Sequence, residues 1–131
     1  MDFRKENVLY TKITSYRDLK VWQEGRILAT IIYQQLKKFP KNEQYGLSDQ
    51  MKRAAVSIPS NIAEGFGRAT AKEKSQFYYI AKGSLAELET QMYIASDVGY
   101  LNESELEKLL QQAELTHRLL QGLIKANKER L

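Results

Sequence analysis

Cysteine is absent from the 131 residues, which excludes disulfides, thiolate zinc sites and cysteine nucleophiles and fits a reducing compartment. Histidine occurs once, at His117, so any imidazole chemistry is confined to a single ring. Proline occurs twice and glycine seven times; both prolines and six of the glycines lie between residues 25 and 99, where they punctuate rather than dominate. No low-complexity tract, long linker or internal repeat stands out. No segment nears the roughly 18 consecutive apolar residues of a membrane span. Met1 to Tyr16 lacks the apolar run of a secretory signal, so the expected location is cytoplasmic, away from membranes. No stretch alternates with period two for long enough to form a strand.

What is present points to one all-α domain. A chain of this size buries roughly two-thirds of its unfolded surface, enough for a core without staples. The net charge is +4, and residues 1–40 account for it, with eight Lys/Arg against four Asp/Glu. That asymmetry places an acidic or polyanionic partner near the first helix, or else marks a solvated helix face.

Residues 1–15 are polar and aperiodic and are expected to form a flexible arm, with a four-helix bundle over 16–131. The first helix is expected from about Asp18 to Lys38, with Leu19, Trp22, Ala29, Ile32 and Leu36 as its buried stripe, broadened by Ile27, Leu28 and Ile31. Phe39-Pro40 closes it, because a residue before proline avoids the α region. The second is expected from Asn42 or Glu43 to Glu64-Gly65, with Leu47, Met51, Ala54, Ile58 and Ile62 inward and a kink at Pro59. Thr70 and Glu73 make a capping box for the third, which runs to about Val98 on Phe77, Ala81, Ser84, Leu88, Gln91 or Met92, and Ala95. The fourth follows Gly99 and a cap at Asn102, with Leu106, Leu109, Ala113, Thr116, Leu120, Leu123 and Asn127 in one row. A second row, Leu110, His117 and Ile124, is expected to stay partly exposed in one chain and to be covered in a homo-oligomer. Short loops make successive helices antiparallel neighbours, an up-down-up-down bundle.

Catalytic constellations are scarce. A di-metal carboxylate site needs Glu-x-x-His on two helices. Glu114 to His117 supplies one such pair, and no second histidine exists to complete it. Ser57, Ser60 and Ser84 lack an evident base, and Gly65-Phe66-Gly67 follows a helix instead of a strand, unlike a phosphate loop. The expectation is therefore no enzyme, no metal and no cofactor. Asn61, Glu64 and Glu87 read as a structural polar cluster beside the Pro59 kink, with Glu64 able to pair with Arg53 or Arg68. Gly83-Ser84 reads as a place where small residues let helices approach closely.

The basic side chains are the remaining candidates. Lys20, Arg26, Lys37, Lys52, Arg53, Arg68, Lys72 and Lys74 could neutralise phosphates, and the eight tyrosines could stack on unpaired bases. The same mixture suits an oligomer interface.

Several blocks resemble a known family. They are Asp18-Leu19-Lys20-Val21-Trp22, Phe39-Pro40, Gly46-Leu47, Gln50-Met51, the run from Arg53 to Gly65, Gly67-Arg68, Ala81 to Leu85 with Glu87 to Gln91, and Gly99-Tyr100-Leu101. Together they are similar to the four-helix-bundle proteins encoded in 23S ribosomal RNA intervening sequences, over about residues 16–124. The resemblance implies a closed bundle assembled as a ring-like homopentamer. It also implies kinship with the accessory variability proteins of diversity-generating retroelements, which form basic barrels that engage nucleic acid and a reverse transcriptase. Two functions follow as expectations. The first is a non-catalytic, nucleic-acid-associated homo-oligomer, RNA-binding above all, in which a ring multiplies a weak basic patch. The alternative is a protein-interaction scaffold whose partner is encoded nearby.

Overall fold

Four amphipathic stretches, each closed by a cap or a glycine turn, fold into four helices that enclose a single core. The structure is a computed structural model and describes residues 12–130. The helices are α1 (Lys20–Leu36), α2 (Leu47–Phe66), α3 (Ala71–Asp97) and α4 (Glu103–Lys128). Single 3-10 turns at Tyr16–Asp18 and Lys41–Glu43 precede α1 and α2. No strand occurs among the described residues.

Helix starts follow local chemistry. The Thr70 side chain accepts from the Glu73 N–H at the head of α3. At α4, Asn102 and Glu105 satisfy each other's backbone amides at 2.8 and 2.9 Å. Leu19 begins α1 without a side-chain cap; a capping box of Ser15 and Asp18 holds the 3-10 turn before it. The arm expected over residues 1–15 lies mostly outside the described residues, and its last part is tied down. The backbone N–H groups of Thr14 and Ser15 both donate to Asp18 Oδ2 at 3.1 Å. Gly99 closes α3 with φ of +86°, a left-handed conformation that costs glycine least, and lets Tyr100 N–H reach Ala95 O at 2.8 Å.

Each helix packs on its neighbours in sequence, and α4 closes back on α1, while among the described residues the backbones of diagonal helices stay apart. The antiparallel sense shows in side-chain bridges. Gln112 on α4 donates to the Glu24 carbonyl of α1 at 3.0 Å, while Lys38 beyond α1 meets Glu105 at the start of α4. Between α2 and α3, Ser57 Oγ and Ser84 Oγ lie 2.8 Å apart. Gly25 of α1 faces Ile58 and Pro59, so α1 crosses α2 beside the proline, which sits inside a continuous helix.

Some inward faces differ from the sequence expectation. α3 buries Tyr78, Ala81, Leu85, Leu88, Met92 and Ala95, while Phe77 and Ser84 sit at the edge and Val98 is exposed. α1 buries Val21, Leu28, Ile32 and Leu36; Trp22 and Ala29 are half-buried and Ile27 is exposed. In both helices the true seam runs one residue away from the large aromatic that suggested it. Gly83 is not a point of close approach, for a Cβ there would meet nothing within 4 Å. Gly65 is, with the Tyr78 ring 2.7 Å from such a Cβ.

Candidate nucleic-acid interface

The eight basic candidates divide between the two ends of the bundle. Lys20, Arg68, Lys72 and Lys74 cluster where α1 starts and α2 turns into α3. Lys37, Lys52 and Arg53 lie toward the opposite end, and Arg26 sits between. They do not form one patch. Three are compensated by a carboxylate one turn away: Lys20 by Glu24 at 3.5 Å, Arg53 by Asp49 at 2.9 Å and Arg68 by Glu64 at 2.6 Å. Such pairs are short-range and leave little net field for a distant phosphate.

Two more cations lie over rings. Arg26 lies over Trp22 at 5.6 Å, and Lys52 over Tyr33 at 5.5 Å. Tyr33, Asp49, Lys52, Arg53, Val56 and Ser57 line one shallow depression between α1 and α2. This is where the structure brings a basic pair and an exposed aromatic together. Exposed Lys37 and Lys72 make no ion pair among the described residues.

Lys74 is different. Its Nζ donates to the Phe66 carbonyl at the end of α2 and lies over the Phe66 ring. Burial, with the Arg130 charge nearby, holds its ammonium below the usual lysine range. It faces a cleft rather than an open surface, which removes it from the expected phosphate-binding set.

Asn61, Glu64 and Glu87 do not bond one another, although Asn61 reaches a backbone carbonyl and Glu64 pairs with Arg68 as expected. Asn61 donates to Ser57 O and Ser57 Oγ at 2.8 and 2.9 Å, joining the Ser57–Ser84 contact. Glu64 turns to Arg68, and exposed Glu87 accepts from Gln91 at 3.3 Å on its own helix. Glu64 and Glu87 are both exposed, so no shared desolvation draws them together. The second row of α4 keeps two of its three partly exposed members and is corrected at Ile124, which turns into the core. Ile124 is 5% exposed within one chain, while Leu110 and His117 are half-buried. His117 lies near Glu89, whose carboxyl is pushed up by burial, against the pull of His117 and with help from Glu114. No group of three or more metal-ligating side chains occurs among the described residues. No described helix is long and apolar enough to cross a membrane.

Sequence reasoning missed the exposed apolar face of α3. Tyr79, Ile80, Tyr93, Ile94 and Val98 are each at least 41% exposed, and Gly83 lies among them. At 100° per residue these positions share one side of the helix. Their spacing was legible, and the long inward row of α3 masked it.

A square of four antiparallel helices, each packed on its two neighbours and with cation–aromatic pairs on the surface, defines a closed four-helix-bundle protein. The chain belongs to the 23S rRNA-intervening sequence protein family, whose sequence profile matches residues 17–122. Among solved structures it is similar to a protein of unknown function from the S23 ribosomal protein family of Bacteroides thetaiotaomicron. The two share 24% identity over 80% of this chain and 98% of that one, with a TM-score of 0.71. At that identity the likeness concerns the fold. No curated protein matches the chain.

Proposed function

We propose that the chain is a non-catalytic, nucleic-acid-associated protein of the cytoplasm that binds RNA as a homo-oligomer. The observation that carries this reading is the α1–α2 face. There Arg26 and Lys52 lie over exposed or half-exposed rings, and Lys52 shares one depression with Tyr33. Cations neutralise phosphate while the rings offer stacking platforms for unpaired bases, a sequence-tolerant mode. The family's name ties its members to ribosomal RNA genes, and the reading agrees with that association.

A single subunit offers few uncompensated cations, so the reading needs repetition. The apolar side of α3 and the exposed Ile27 on α1 lie on opposite corners of the square. An apolar α3 side that meets a different surface of the next copy gives head-to-tail association, which closes into a ring when the rotation allows. A ring-like homopentamer is the assembly that the family resemblance implies.

A salt series of filter-binding titrations against structured RNA tests the reading. The expected result is affinity that falls steeply with salt and weakens when Arg26 and Lys52 are both changed to Gln. RNA binding that is absent at low salt, or insensitive to salt, ends it. The same apolar α3 face favours a second reading, a scaffold for a protein encoded nearby. Purification from the native host would then yield a stoichiometric protein partner and no RNA.

A further inference from the structure

The end of the bundle that holds Lys74 contains a cleft of about 330 Å³ between the C-termini of α2 and α4 and the first turns of α3. Its size is at the lower end of the roughly 300–1,000 Å³ usual for small-molecule sites. Leu19, Phe66 and Leu123 supply apolar walls. Two cations, Lys74 and Arg130, line the same space, and none of the lining residues is acidic. Neither cation has an ion-pair partner among the described residues. Tyr78 adds a ring that is 2% exposed and forms part of the lining. Converging like charges in a partly desolvated apolar cleft is unfavourable, and a bound anion relieves it.

We propose that this cleft binds a small organic anion, one carboxylate or comparable oxyanion on a compact apolar body. The head group lies between the Lys74 ammonium and the Arg130 guanidinium, and the body rests against Phe66, Leu19 and Leu123. Lys74 keeps its hydrogen bond to the Phe66 carbonyl and still has two N–H groups to donate. The site uses neither the α1–α2 face nor the α3 face, so it stands or falls apart from RNA binding.

The test is a titration of the full chain with 3-phenylpropanoate, followed by amide chemical shifts. The matched amine, 3-phenylpropylamine, and inorganic phosphate serve as comparison probes. The acid is expected to move the Tyr78, Ala126 and Asn127 amides saturably, while the amine and phosphate leave them in place. Arg130→Gln, on the exposed last turn, should weaken binding about tenfold, and Lys74→Met should weaken it at least as much. Helical circular dichroism should be unchanged in the Arg130 variant. The proposal is overturned by an absence of saturable shifts at millimolar acid. Equal shifts with the amine or with phosphate alone, or unaltered affinity in Arg130→Gln, overturn it as well.

Discussion

At the scale of single residues, the glycines separate by what surrounds them. A Cβ at Gly65 would lie 2.7 Å from the Tyr78 ring and 2.9 Å from Phe77 Cβ, both anchored in α3. Gly65→Ala should therefore destabilise by about 1–3 kcal/mol as α2 and α3 are pushed apart. Gly122 meets nothing within 4 Å, so Gly122→Ala should stabilise by about 0.5–1 kcal/mol through helix propensity alone. Urea unfolding of the two variants gives opposite signs if the contact, and not glycine itself, decides. Two carboxylates, exposed Asp18 and half-buried Glu105, carry the acid sensitivity. Backbone N–H groups of Thr14 and Ser15 hold Asp18 below its ordinary value. Asn102 N–H, then Gln35 and Lys38, do the same for Glu105. Because folding lowers both, their contribution is complete above the unfolded carboxylate range and is lost as pH falls through the depressed values. Glu89, pushed up by burial, acts in the opposite sense and gains as pH falls through its raised value. The melting temperature should stay level near neutrality and decline below about pH 4. Glu105→Gln should flatten part of that decline, and an unchanged acid limb would count against the capping account.

At the scale of elements, α3 shows how far the sequence could be read. Helix number, most bounds, the α4 capping box and the Gly99 stop follow from local chemistry. Only the Thr70 half of the α3 box forms, and α2 starts at Leu47, after a 3-10 turn at Lys41–Glu43, instead of at Asn42 or Glu43. The seam was harder. Phe77 and Tyr78 are adjacent aromatics, and either starts a three-four rhythm through Ala81. Burial distinguishes them, with Tyr78 2% exposed and Phe77 half-buried. That outcome is set by packing between helices, where periodicity within one helix carries no information. Tyr78→Ala should cost about 3–5 kcal/mol and Phe77→Ala clearly less, which denaturant unfolding of the pair measures. The candidate site was less legible still. Sequence counts cations, but the partners that remove Lys20, Arg53 and Arg68 from play depend on rotamers one turn away. The cleft at Lys74 needs residues from positions 19, 66, 74 and 123, too far apart in sequence to read as a motif.

At the scale of the whole molecule, the exposed side of α3 is the feature a lone subunit leaves unexplained. Gly83 sits among Tyr79, Ile80, Tyr93 and Ile94 with open space above it. In a homo-oligomer that space is filled by a neighbouring chain. Gly83→Arg should then keep the helical signal while light scattering falls to the mass of one chain. A wild-type chain already at that mass would remove the assembly. The closed circuit of four helices has another consequence. Because α1 and α4 are adjacent and antiparallel, the first residues of α1 and the last of α4 emerge from the same end, as the two arms of any inter-helix turn do. The α4–α1 side of the square is then bridgeable by a short turn, as the other three sides are. A circularly permuted polypeptide, opened between Gly67 and Thr70 and spliced across its former ends by a short glycine-serine bridge, should fold to the same bundle.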